Sequence, residues 1–316
     1  MLSDIGILGM NRRNADFTIT RNPRKYYPLV DNKITTKELL ESHGLPAPVL
    51  YFQIRHIFEL KLLREITRLR EFVIKPARGA AGRGILPIVD RVENKWKTSK
   101  GDLLTQEYVE YHISNILAGL YSLGGVDDDA FIEYYVRSHP VFNPISYHGV
   151  PDIRIILYMG IPVMAMLRLP TLKSGGKANL HQGAIGAGVS MQEGITLKGV
   201  YLGKLVDRHP DTGNSISGIR IPFWKTILEI SAKTFNIFKL GYMGVDFVID
   251  VLLGPLILEL NARPGLNIQL ANRDGLLTRL RGIDELMKSR CPEKLSPDER
   301  LEIFREMIKK IEGQYF

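Results

Sequence analysis

Apolar positions along the chain cluster into short dense runs, broken by turn formers, with helical spacing in a handful of longer segments. The runs Phe72–Lys75, Ile85–Val89, Ala130–Val136, Ile153–Met159, Pro162–Leu169, Met243–Asp250 and Leu256–Leu260 predict strands, as does the shorter Val49–Phe52. Two pairs are joined tightly, one at Gly160 and one through Gly254-Pro255, and so read as antiparallel. Helical spacing predicts helices over Lys33–His43, with Gly44 as its stop and Pro46 and Pro48 beyond, and over Ile57–Leu69, Leu103–Leu120, Trp224–Phe238 and Asp298–Glu312. The first thirty residues are polar and irregular, and Asn22-Pro23 and Tyr27-Pro28 argue against a long helix there. Ser174–Gly188 is rich in Gly and Ala, and no internal repeat is visible. Strands and helices alternating with antiparallel pairs predict an α+β or mixed α/β protein.

Composition narrows the class. With 316 residues, 45% of them hydrophobic and 24% charged, the chain can bury a sizeable core. No apolar run approaches the length of a membrane span, Met1–Arg13 lacks the apolar stretch of a secretory leader, and Cys291 is the single cysteine. A cytoplasmic location is the expectation. The formal charge of +8 invites a nucleic-acid reading, but the basic residues are scattered, with local density at Arg12–Arg13, Arg21–Lys25 and Arg273–Arg281. No basic run is interleaved with aromatics, so no nucleic-acid partner is expected and a small anion such as ATP is the simpler ligand.

Two segments carry candidate chemistry. In Phe72-Val-Ile-Lys75-Pro-Ala-Arg78-Gly79-Ala-Ala-Gly82-Arg83-Gly84, a lysine ends a buried strand and three glycines follow. Such a loop brings backbone N–H groups close to phosphate oxygens, and Lys75 with Arg78 or Arg83 adds full charge. The same residues also suit a tight hairpin. The loop is neither a Walker loop nor a dinucleotide fingerprint. In the second segment, Gly244-Val-Asp246 is followed by Glu259-Leu-Asn261-Ala-Arg263-Pro-Gly265. Glu259 and Asn261 are two apart on one strand and share a face, and Asp246 on the neighbouring strand can face the same space. Three oxygen ligands suit Mg²⁺ carrying phosphate; the plainer reading pairs the two carboxylates with Arg263 or Lys239.

The order of Asn32-Lys33, Lys75 with its glycine loop, Phe131-Ile-Glu-Tyr-Tyr-Val136, Asp152-Ile-Arg154, Asn179-Leu-His-Gln-Gly183 and Asp246…Glu259-Leu-Asn261-Ala-Arg263-Pro-Gly265 resembles the ATP-grasp superfamily, and within it the alpha-L-glutamate ligase-like proteins. The resemblance runs from about Asp31 to Leu270. It implies two α/β lobes clamping ATP: an N-lobe over 32–136 with the glycine loop and a helical insertion, a C-lobe over 137–290 with the metal site, an N-terminal strap over 1–31 in place of a full preceding domain, and a C-terminal helix over 291–316. Lys33 and Lys75 would touch the ATP phosphates, with Gly79, Gly82 and Gly84 closing over them. The stretch Glu133, Tyr134, Tyr135, Val136 would be the hinge against adenine, with Glu133 reaching the exocyclic amine. Gln106-Glu-Tyr-Val109 is a second hinge-like stretch, less suited because a long helix follows it. Asp246, Glu259 and Asn261 would hold Mg²⁺, or Mn²⁺ in its place. Arg154, Asn179 and Arg263 would face the transferred phosphate or the substrate carboxylate.

The implied activity is that of a ligase joining a carboxylate to an amine through an acyl phosphate, with glutamate as one candidate partner and an amino acid, peptide or protein tail as acceptor. An ATP-grasp kinase and a non-catalytic ATP-binding regulator are the alternatives. The shortened N-terminus leaves a homodimer that completes the pocket as one arrangement, and the insertion at 92–129 and the loop 137–150 as sources of substrate contacts. Lys177 stands where the glutamate ligase has an arginine. His139, His148 and His209 read as solvated loop histidines, His181 as a local hydrogen-bonding residue or a substrate contact, and the charges of Asp298–Glu312 as a solvated helix face.

Overall fold

The computed structural model describes residues 6–312 apart from Thr67, Ala80, Ala81 and Leu123, so the Ala80-Ala81 step of the glycine loop lies outside the described residues. The chain forms two compact units, one of residues 32–42 and 46–136, the other of residues 1–31, 43–45 and 137–316.

The smaller unit is an antiparallel sheet with a helix on each face. Its strands are β1 (Leu50–Ile54), β2 (Phe72–Pro76), β3 (Leu86–Val92), β4 (Lys95–Thr98), β5 (Leu103–Leu104) and β6 (Ala130–Glu133), in the order β1-β6-β2-β3-β4-β5. Helix α1 (Lys33–Ser42) contributes Ile34 to Phe131 and Ala77 on one face. Helix α2 (Gln106–Leu117) places Val109, Ile113 and Ile116, spaced by four and three, against Ile54, Phe72, Ile74, Ile88 and Ile132 on the other. Thr105 caps α2 by accepting the Tyr108 N–H at 3.3 Å, which starts the helix three residues later than the apolar spacing predicts. The helix expected at Ile57–Leu69 is a 3₁₀ stretch, Ile57–Leu62, running into one helical turn, Leu63–Ile66. The strand expected to reach Val136 stops at Glu133; the Tyr134 N–H still bonds the Val49 carbonyl at 2.9 Å.

The larger unit is built on a second antiparallel sheet of β7 (Asp152–Tyr158), β8 (Ile161–Leu169), β9 (Ile185–Val189), β10 (Thr196–Tyr201), β11 (Lys204–Val206), β12 (Tyr242–Asp250) and β13 (Gly254–Asn261), in the order β11-β10-β9-β8-β7-β12-β13. The β7–β8 turn is Met159-Gly160, both at positive φ (52° and 76°), the geometry a two-residue hairpin requires. Helices α3 (Trp224–Phe238), α4 (Ile268–Asn272), α5 (Leu276–Met287) and α6 (Pro297–Glu312) surround it. Both α3 and α6 pack on β8 and on each other. The N-terminal residues are not one long helix but a series of short helical turns from Met10 to Asp31, tied to the sheet by Asn22. Among the described residues, no helix is long and apolar enough to cross a membrane.

Candidate active site

In the smaller unit, three side chains meet at the end of β6. Val73 pairs with Glu133 and Lys75 with Phe131 across β2 and β6, so Lys75, Phe131 and Glu133 project from the α1 side of the sheet. There Glu133 is enclosed by the ammonium groups of Lys37 at 2.6 Å and of Lys75. Its side chain is 1% exposed and that of Lys37 6%, whereas that of Lys75 is 14% exposed, so Lys75 is the member that reaches solvent. Burial pushes the Glu133 carboxyl up, but Lys37 and Lys75 outweigh it and hold the group below its ordinary value. Burial lowers Lys37, against the opposing pull of Glu133. Two ammoniums on one carboxylate leave a residual positive charge for an anion.

Around this triad, Lys33 donates to the Gly79 carbonyl at 2.7 Å and pins the base of the glycine loop. Gly82 and Gly84 hold positive φ (70° and 73°), and the Gly84 carbonyl meets His112 Nε2 at 2.9 Å. Arg78 is turned away from the loop: its N–H bonds Asp128, and its guanidinium bonds the Asp127 carbonyl at 3.0 Å.

In the larger unit, one face of the sheet carries a row of charge across four strands. Asp246 on β12 pairs with Glu259 on β13 and with Arg154 on β7, while Asp152 pairs with Arg168 on β8. A bulge at Leu258, immediately before Glu259 in β13, sets this register. Arg154 grips Asp246 with two bonds of 2.7 and 2.5 Å, and Arg168 Nη2 adds a third at 2.7 Å while binding Asp152. Asn261 Nδ2 lies 3.3 Å from both Asp246 and Glu259. Only Glu259, its side chain 34% exposed and 3.8 Å from Arg154, keeps an open carboxylate. For Asp246, burial opposes ionisation but the two guanidiniums, Arg154 foremost, overcome it and hold the carboxyl well below its usual range. Burial raises Asp152 to about 7, with Arg168 pulling down and Asp246 pushing up.

Asp246, Glu259 and Asn261 are thus brought together, as strand spacing predicts, and Arg154 joins them. Asn179 is not part of the row: its side chain caps the turn Leu180–Gln182 by accepting the His181 N–H at 3.0 Å. Arg263 lies over the Tyr27 ring, 4.9 Å from its centroid. Glu133 has partners other than those expected, because its carboxylate is enclosed by lysines. His209 is not solvated but buried, with Nε2–H donating to the Pro170 carbonyl at 2.9 Å.

Three residues have roles that the sequence reading did not assign. Lys37 is one helical turn past Lys33, Arg168 is the lone charge in an apolar strand, and Asp152 opens the Asp-Ile-Arg motif. A charged residue inside a buried strand was the available signal, since burial without a partner is costly.

The oxygen donors fit a magnesium ion, which takes few protein ligands and keeps waters and phosphate oxygens. Glu259 and the Asn261 side-chain oxygen are available for it; Asp246 could join only by releasing a guanidinium bond. Groups of three or more His, Cys, Asp or Glu placed to hold a metal are absent among the described residues.

This combination of two antiparallel sheets, a lysine before a glycine loop and an Asp…Glu-x-Asn row defines an ATP-grasp protein. The family described as sugar-transfer associated ATP-grasp matches residues 12–285, and the chain belongs to it. No curated protein sequence matches the chain. Among solved structures, a biotin carboxylase ATP complex from Campylobacter jejuni shares the fold at TM-score 0.51 and 14% identity, covering 81% of this chain and 46% of that one. D-alanine–D-alanine ligase from Bacillus anthracis is similar at TM-score 0.46 and 14% identity, covering 93% of this chain and 72% of its own. The ATP-grasp ligase PsnB with its minimal precursor is similar at TM-score 0.46 and 12% identity, covering 83% of this chain, which spans 62% of PsnB.

Proposed function

We propose that the protein is an ATP- and Mg²⁺-dependent ligase that joins a carboxylate to an amine. The observation that carries this reading is the row Arg154–Asp246–Glu259–Asn261, in which one carboxylate is locked by arginine and the other is left open beside the Asn261 side-chain amide. An open carboxylate and an amide oxygen suit a hard cation, and fixed guanidiniums suit a phosphoryl group.

In this scheme Lys75, positioned by Glu133, holds phosphate oxygens of ATP, and the N–H groups of the glycine loop assist. Glu259 and Asn261 would hold Mg²⁺, which supplies charge neutralisation for the phosphates when bound. A substrate carboxylate oxygen attacks the γ-phosphorus while the bond to the bridging oxygen breaks, giving ADP and an acyl phosphate. The amine nitrogen then attacks the acyl carbon, phosphate leaves, and the amine proton is lost to solvent. Arg154 and Arg168, aligned beforehand by Asp246 and Asp152, stabilise charge on the transferred group. No side-chain nucleophile is needed.

The family's association with sugar transfer favours a sugar-derived acid or amine as one substrate, and the glutamate ligase-like motifs favour glutamate as the other. The test is ADP release across a panel of uronic acids, amino acids and amino sugars, with hydroxylamine present to trap acyl phosphate. Hydroxamate formed from one acid supports the ligase. A stable phosphate ester formed without amine would replace it with a kinase, and ATP binding without turnover on the whole panel would replace it with a regulator.

A further inference from the structure

The sheet face that carries Asp246 also carries Tyr242, four residues earlier on β12 and so roughly 13 Å along the strand. The N-terminal segment is fastened there. Phe17 meets the Tyr158 ring edge-on at 5.5 Å, Asn22 bonds the backbone of Tyr242 on both sides at 2.6 and 2.8 Å, and Arg13 Nη1 donates to the Pro264 carbonyl at 2.8 Å. Between this segment and the turn after β13 lies a cavity of about 380 Å³, lined among others by Arg13, Thr18, Arg24, Tyr27 and Arg263.

Its chemistry is one-sided. Among the described residues, three arginines line it and no carboxylate does. Arg13 is satisfied by carbonyls and by the Asn14 amide oxygen, so its charge is uncompensated. Arg263 stacks on Tyr27, and among the described residues neither Arg263 nor Arg24 has a carboxylate partner. Thr18 is 3% exposed, yet its hydroxyl finds no hydrogen-bond partner among the described residues. Buried polar groups in folded proteins are nearly always satisfied, so an unpartnered hydroxyl in the wall of a cavity that three arginines also line marks the place of a ligand oxygen.

We propose that this cavity binds the oxyanion group, carboxylate or phosphate, of the non-nucleotide substrate. The assignment of that ligand as substrate rests on the ligase reading; the anion site itself does not. Arg24 and Arg263 grip the anion, Thr18 donates its hydroxyl, and Tyr27 covers the body of the ligand. The N-terminal segment thereby supplies the substrate pocket.

The experiment is calorimetric titration of the full chain, without ATP and at fixed ionic strength, with L-glutamate, D-glucuronate, D-glucose 6-phosphate and inorganic phosphate, and with methyl glucoside as the uncharged control. At least one anion should bind saturably at one site per chain, and methyl glucoside should not. Thr18→Val and Arg24→Gln, neither of which removes a bond within the protein, should each weaken that anion by about tenfold or more and leave ATP affinity unchanged. Binding by acids alone or by phosphates alone identifies the headgroup and supports the site either way. Absence of binding by all four anions, or binding indifferent to both substitutions, overturns it. Failure of ATP turnover with anion binding intact would count against the ligase reading only.

Discussion

Asp246 and Glu259 face each other across two strands, yet their environments separate them completely. Asp246 is enclosed by Arg154, Arg168 and Asn261, while Glu259 opens to solvent. Replacing Glu259 with Gln removes the charge and keeps the shape. Turnover with ATP·Mg²⁺ should fall by about 10²–10³ with the melting temperature unchanged, and retained activity would remove Glu259 from the site. Glu133→Gln acts differently, because it strands two lysines in a buried position. The loss should be about 3–5 kcal/mol near neutrality, read by urea unfolding. The Glu133 carboxyl is depressed from its ordinary 4.5, so the unfolded chain binds its proton first as pH falls. Its stabilisation is therefore full above that value and is lost as pH drops through the folded value. The gap between wild type and Glu133→Gln should narrow on acidification below about 4.5; a gap constant with pH would mean the carboxyl titrates alike in the folded and unfolded chain, and one that widens on acidification would mean it is held neutral in the fold. The strand period alone placed Glu259 and Asn261 together. It could not place Lys37 or Arg168, whose roles depend on which strands and helices become neighbours.

At the scale of elements, the glycine loop shows how much of a motif lies in what surrounds it. Gly84 holds φ +73°, and a Cβ there would stand 2.6 Å from the Tyr121 ring. Gly84→Ala should raise the KM for ATP severalfold and cost about 1–2 kcal/mol of stability, from left-handed strain plus the displaced ring. Adding Tyr121→Ala should recover the steric part and not the strain, giving a coupling between the two sites that a double-mutant cycle measures. Additive effects would mean the ring is not what Gly84 accommodates. Longer elements were legible: the apolar spacing over Trp224–Phe238 gives the observed bounds of α3. The paired strands β7–β8 and β12–β13 were placed to within two residues of their ends. The strands β9 to β11 were not, because Gly186 and Gly188 replace the apolar residues that mark a strand, and α4 packs where their side chains would be. Short edge strands with exposed lysines, such as Lys204–Val206, leave equally little periodic signal.

Over the whole molecule, the first and last described segments are worked into the core of the larger unit. At the N-terminal end, Gln269 bonds Leu8 in both directions, at 2.8 and 3.0 Å. At the other end α6, which lies past the residues that match the family, buries Leu301, Ile303, Phe304, Met307 and Ile308. Its charge pattern reads as a solvated face, and for most of the helix that holds; Arg300 is the exception, fully buried. The guanidinium lies 4.7 Å from the centre of the Phe235 ring and donates to the Ala232 and Pro292 carbonyls and to Asn236. Its stem also fills the space beside Gly160, where a Cβ would come within 2.7 Å of it. Sequence pattern could not reveal this, because an arginine on an amphipathic helix is ordinarily outside and only the approach of α3 encloses it. No carboxylate neutralises the charge among these contacts, and burial lowers its affinity for the proton. Arg300→Ala should destabilise the protein by about 2–4 kcal/mol through lost packing, the ring contact and the hydrogen bonds. Arg300→Met keeps the stem without the charge and should recover a large part of that loss, since much of the contact is made by methylene groups. If methionine matches or exceeds wild type, the guanidinium is a net desolvation cost and the stem alone joins α6 to α3. If methionine is no better than alanine, the bonds to Ala232, Asn236 and Pro292 hold the C-terminal helix in place.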